Sequence, residues 1–223
     1  MYLFQLFRSF VPIHNPIGFG AGDFVGLAIA LLLVWLALAW PTWIATRSRE
    51  LAARTAWCML ALAILPIALR LLLLPHYPVP PPNVSDDFSY VLLADTLRHF
   101  RLANPPHALP QFFETYFVLQ EPTYSSIYPL GQGIVLALGW LLFGHPWGGV
   151  ALSIGALCAL CYWMLRAWTT PGWALVGGLL AVMQFGPLNQ WMNSYWGGAV
   201  SAAAGCLVFG AAPRLWESAQ RRT

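Results

Sequence analysis

Two adjacent carboxylates, Asp86 and Asp87, are the residues of this sequence best suited to chemistry. Neighbouring carboxylates at an apolar boundary perturb each other's proton affinity. One of them can then act as a general base and take a proton from a hydroxyl. The plain alternative is a helix start, with Ser85 as N-cap and both acids in the first turn, where the helix dipole favours them. Spacing alone leaves both readings open. Further along, Asp95 stands three residues before Arg98 and four before His99, a pattern of ion pairing on a solvated helix face. The competing reading turns Arg98, His99 and Arg101 toward an anionic headgroup. His107 and Glu114 complete a loose His/Asp/Glu set for a divalent cation, although no metal-ligand spacing recurs.

Two polar-aromatic patches add candidate substrate contacts. The first, Gln120 to Pro129, contains Tyr128; the second, Asn189 to Trp196, contains Tyr195. Each either lines a cavity or forms an interfacial aromatic belt, and for the second patch the belt is the favoured reading. Cys158 and Cys161 form a C-x-x-C inside an apolar run, which reads as packed thiols and implies no disulfide framework.

The elements that must position these residues belong to a membrane protein. Of 223 residues, 59% are hydrophobic and 9% charged, against roughly a quarter charged in a soluble domain. That excludes an ordinary soluble enzyme and a disordered chain. The net charge of +3 comes from scattered arginines with no lysine, so no basic patch for nucleic acid is expected. Residues 1–20 carry Arg8 without a compact apolar core and cleavage site, which predicts that they stay attached.

The expected fold is all-α and integral to the membrane, with about six transmembrane helices. After the segment 1–20, two helices occupy 21–74. A large extracytoplasmic loop, 75–126, carries amphipathic helices and the acidic pair. Four hydrophobic helices fill 127–213, at roughly 127–143, 147–168, 172–188 and 194–213, and a basic tail occupies 214–223. Trp40, Trp43, Trp57, Trp147, Trp168 and Trp173 lie near segment ends, as an aromatic belt would. Arg47, Arg49 and Arg54 place the first connection in the cytoplasm. The loop 75–126 is then outside. Four simple crossings after it would put Arg214, Arg221 and Arg222 outside as well. Either a later segment is re-entrant or those arginines do not decide the orientation. Arg70, near the outer end of the second helix, snorkels or points into a polar cavity.

The run Asp86-Asp87-Phe88-Ser89-Tyr90, with Leu92 to Thr96, Arg101 to Pro105, Tyr128 to Gly133 and Trp191 to Ala199, resembles the N-terminal part of bacterial membrane glycosyltransferases of the GT-C fold, relatives of the protein O-mannosyltransferases and the lipid A aminoarabinose transferase. The resemblance covers about residues 55 to 213. It implies a multi-pass protein of the bacterial inner membrane. The implied donor is a polyprenyl-phosphate-linked sugar drawn from membrane lipid, transferred with inversion to an acceptor hydroxyl. Asp86 matches the family's base and Asp87 its second acid, where the family often has Glu. In a transferase, cationic and polar groups such as His99 and Arg101 would stabilise the leaving phosphate. Family members are longer, so an inactive fragment or a non-catalytic lipid- or partner-binding scaffold is the open alternative.

Overall fold

A computed structural model describes residues 21–39 and 50–220. The expectations for 1–20, Trp40, Trp43, Arg47, Arg49, Arg221 and Arg222 lie outside the described residues. The chain is mainly helical: α1 (Ala21–Ala39), α2 (Thr55–Leu72), α3 (Ser85–Arg98), α4 (Leu130–Phe143), α5 (Trp147–Leu165), α6 (Pro171–Phe185) and α7 (Gly198–Gln220). A two-residue hairpin, β1 (Val118–Leu119) and β2 (Ser125–Ser126), lies between α3 and α4, with Val118 opposite Ser126.

Local signals set the boundaries. Pro171 opens α6, where its missing N–H costs nothing. Gly144 ends α4 in the left-handed region, at φ 74°, which a residue without Cβ adopts freely. Ser85 does not cap α3; Val84 takes the cap position and no side chain bonds there. The backbone N–H of Asn83 instead binds back to Asp87, which draws the second acid inward.

Among the described residues three helices, α2, α5 and α7, are long and apolar enough to cross a membrane. The chain is therefore a helical membrane protein. The remaining apolar stretches, Phe24–Leu36, Leu130–Phe143 and Pro171–Phe185, are shorter, so the six expected spans become three helices of full length by themselves. Trp147 leaves the expected aromatic belt and enters the core, whereas Trp57, Trp168 and Trp173 are exposed.

The central helix is α5, which packs on α2, α4, α6 and α7. Ile154, Leu157, Cys158 and Tyr162 are buried along it. Its glycines let neighbouring backbones approach closely, as membrane helices require when burial of apolar surface drives nothing. A Cβ on Gly139 of α4 would overlap the backbone of Gly149, and one on Gly155 would overlap the carbonyl of Ala63 in α2. The expected packed thiols are present: all four cysteines are free, and the Sγ atoms of Cys161 and Cys206 lie 3.7 Å apart.

Contacts fix the helix directions. Arg70 at the end of α2 sits over Trp147 at the start of α5, and the Tyr162 hydroxyl donates to Ala52 just before α2, so α2 and α5 are antiparallel. Gly178 of α6 faces Leu62 and Tyr162, while Gly186 lies near Pro66, so α6 runs with α2. In α7, Cys206 meets Cys161 and Gly210 meets Trp163, so α7 runs with α5. Arg54, Arg166 and the Arg214 guanidinium, which donates to Trp163, thus gather at one end, here the basic end. The cap formed by residues 75–126 occupies the other.

Gly139→Ala or Gly155→Ala should lower the melting temperature in detergent, with a loss of about 1–3 kcal/mol for overpacking. Gly205, whose added Cβ would meet nothing within 4 Å, is the control. Gly205→Ala should hold or raise the melting temperature, since Ala is favoured over Gly in helices by about 0.5–1 kcal/mol.

Candidate functional site

The cap is a folded element. Helix α3 lies on α4, with Leu93 and Leu97 filling the space above Gly133. The Ser89 hydroxyl reaches the Phe117 carbonyl at 2.6 Å and Ser126 Oγ at 2.7 Å, which ties α3 to the hairpin. Asn104 donates to Thr96 Oγ1 at 2.7 Å, and its backbone pairs with that of Tyr124.

Beneath the cap runs a largely irregular segment, residues 186–197, with a single 3-10 turn at Gln190–Met192, that joins α6 to α7. The N–H groups of Asn189, Met192 and Asn193 donate to carbonyls of the segment itself, and side chains from neighbouring helices serve further groups. Asp87 of α3 accepts from the Tyr195 N–H at 2.9 Å. Gln132 of α4 donates to the Tyr195 carbonyl at 3.0 Å. Trp147 of α5 donates to the Met192 carbonyl at 2.9 Å. Asn193 donates to the carbonyls of Pro187 and Asn189, and its own oxygen accepts from Arg70 Nε at 3.0 Å. Arg70 also donates to the carbonyls of Tyr77 and Pro78, at 2.7 and 2.9 Å. The expected alternatives for Arg70 both give way: it neither snorkels nor opens into a cavity, but is buried as a clamp.

This segment ends at Trp196-Gly197-Gly198, which with Asp86, Tyr90 and Gln132 forms part of the wall of a cavity of about 380 Å³. Asp86 is the one acid in that wall among the described residues. Its Oδ1 accepts a short hydrogen bond from the Tyr128 hydroxyl. The Tyr128 ring stacks on Tyr90, with centroids 4.1 Å apart and planes at 11°. Burial, then the bond to Asp86 and its charge, push the Tyr128 phenol far above its ordinary range. Burial raises Tyr90 too, reinforced by Asp86 and opposed by a backbone hydrogen bond from Gly197. Both phenols therefore stay protonated at neutral pH.

The acidic pair is thus divided. Asp86 faces the cavity, while Asp87, 4% exposed, spends both oxygens on backbone N–H groups of Asn83 and Tyr195. Tyr128 stands beside Asp86 as a positioning residue and not as part of the cavity wall. Tyr195 is neither belt nor cavity wall: it is 1% exposed, and its hydroxyl donates to Pro80 at 2.8 Å. His99 and Arg101 sit past the far end of α3, about 20 Å from Asp86 at the helical rise of 1.5 Å per residue. They are not brought to the cavity. There Asp95 pairs with Arg98 at 2.7 Å, and Arg98 covers the Trp140 ring at 4.0 Å.

The loose His/Asp/Glu set does not converge, and no group of three or more metal-ligating side chains occurs among the described residues. His107 instead stacks against Phe113. The residues present do not fit a divalent cation. The sequence reading missed Gln132, the α7 N-terminus and the role of Arg70. A glutamine in the first turn of an otherwise apolar helix was the available signal for the first.

The fold and this site define a helical membrane protein with a capped, acid-bearing cavity. Comparison with known proteins finds no matching family model, curated protein or solved structure.

Asp87→Asn sets a donor against one of two backbone N–H groups. It should cost about 1–3 kcal/mol, the penalty of an unsatisfied buried group, read as a lower melting temperature. Asp86→Asn keeps an acceptor for Tyr128 and should leave stability within about 0.5 kcal/mol.

Proposed function

We propose that this protein is a glycosyltransferase module of the bacterial inner (plasma) membrane, moving a sugar from a polyprenyl-phosphate donor to an acceptor hydroxyl at the extracytoplasmic face. The observation that carries the reading is the position of Asp86, a carboxylate in the wall of a cavity under a folded cap, beside apolar helices. In the reaction, Asp86 takes the proton of the acceptor hydroxyl. The acceptor oxygen attacks the anomeric carbon from the face opposite the phosphate. The bond between that carbon and the phosphate oxygen breaks, and its electron pair leaves with the polyprenyl phosphate.

Tyr128 holds the Asp86 carboxylate in place, with its own ring stacked on Tyr90. No cationic side chain lines the cavity among the described residues. The leaving phosphate is met instead by first-turn N–H groups of α7, which have no partner within the helix and lie at its positive end. A second reading, a non-catalytic lipid- or partner-binding scaffold, draws on one observation: Asp86 already has a hydrogen-bond partner in Tyr128.

The test measures transfer from radiolabelled polyprenyl-phosphate sugars to endogenous acceptors in membranes carrying the protein. Asp86→Asn should reduce transfer about 100-fold or more, the scale of a lost general base. Tyr128→Phe should reduce it less. Transfer unchanged in Asp86→Asn rejects the assignment and leaves the scaffold reading.

A further inference from the structure

We propose that α4 enters and leaves the bilayer on the same side, lying in the cap-side leaflet with an apolar stripe against lipid. The chain then crosses by α2, α5, α6 with its following segment, and α7, and both arginine-bearing ends share one compartment. This inference does not depend on the transferase reading.

The first support is that both ends of α4 meet the same short segment. Gln132, in its first turn, donates to Tyr195 at 3.0 Å. Trp147, just beyond its last residue, donates to Met192 at 2.9 Å and lies 5.2 Å beneath Arg70. A helix that crossed the protein would carry its two ends to opposite poles. Length agrees, since 14 residues span about 21 Å at 1.5 Å each, short of a hydrocarbon layer of about 30 Å.

The second support is the unpaired face of α4. Leu130, Ile134, Leu138, Leu141 and Leu142 are exposed and recur at helical spacing. The opposite face, Gly133, Leu136 and Ala137, is buried against its neighbours. Ile127, just before α4, is also exposed, so the stripe continues up to the cap. Lipid is the occupant this surface fits, because it joins the exposed apolar flanks of helices that themselves suit a membrane.

The third support is charge. With α4 removed from the crossings, Arg54, Arg166 and Arg214 fall together at the basic end. Arg47 and Arg49 precede that end in sequence, and Arg221 and Arg222 follow it. The cap end holds Arg70, Arg98 and Arg101 among five acids: Asp86, Asp87, Asp95, Glu114 and Glu121. That asymmetry satisfies the positive-inside rule, with the basic end cytoplasmic. It removes the conflict that four crossings after residue 126 would create.

The experiment places single cysteines at exposed sites, Ala53→Cys, Leu102→Cys, His145→Cys and Ser218→Cys, in the whole protein. A membrane-impermeant maleimide is applied to intact cells and to inverted vesicles, with the unsubstituted chain as baseline. Positions 102 and 145 should label from one side and positions 53 and 218 from the other, with at least a tenfold difference in each. Position 145 labelling with 53, position 218 labelling with 102, or labelling from both sides overturns the proposal. Nitroxides at Ile134 and Leu138 should be relaxed several-fold more by dissolved oxygen than by a water-soluble nickel chelate; the reverse ratio overturns the lipid contact.

Discussion

An irregular backbone in an apolar setting cannot make from within itself every hydrogen bond it needs. Residues 186–197 impose that constraint here. A helix supplies its own partners, so α2, α5 and α7 can be built of Ala, Leu and Gly with little else. The link between α6 and α7 supplies only part of its needs, through the N–H groups of Asn189, Met192 and Asn193. It draws on Arg70, Asp87, Gln132 and Trp147, one from each surrounding helix, and on its own Asn193. Arg70, Asp87 and Gln132 are among the few polar side chains buried in the described residues, and all three converge on this one segment.

The arrangement explains how a buried arginine persists without a carboxylate. Arg70 donates to two backbone carbonyls and an amide oxygen, and its plane lies over Trp147. Carbonyl dipoles and an aromatic face replace the counter-ion. Asp87 mirrors it, with a negative charge held by backbone N–H groups. The two charges never meet, yet both hold the same strip of chain. The strip in turn delivers Trp196, Gly197 and the start of α7 to the cavity opposite Asp86. Neighbouring aspartates thereby take different duties: one anchors the floor, the other faces the space above it.

Much of this was legible in the residues. Long apolar runs and scarce charge announced a helical membrane protein, and the long loop 75–126 between them marked the cap. The acidic pair was visible as chemistry, but its division was not. That division depends on contacts more than a hundred positions apart, as between Asp87 and Tyr195. His99 and Arg101 looked close to Asp86 in sequence, but a straight helix carries them to its other end. Tyr195 and Trp147 resembled belt residues because an aromatic at a segment end looks the same facing lipid or facing the core. The number of spans was not legible for a related reason. Composition registers how apolar a stretch is, and only contacts register whether its two ends lie apart or together.

Backbone amide exchange read by mass spectrometry tests the central claim most directly. If buried side chains hold residues 186–197 in place, amides from 192 to 197 exchange at least about 100-fold slower than an unstructured peptide, as ordered backbone does. Arg70→Met should then speed that stretch about tenfold or more, the equivalent of about 1.4 kcal/mol, while α5 stays protected. Exchange at the unprotected rate in the natural chain, or no change in Arg70→Met, would contradict the account.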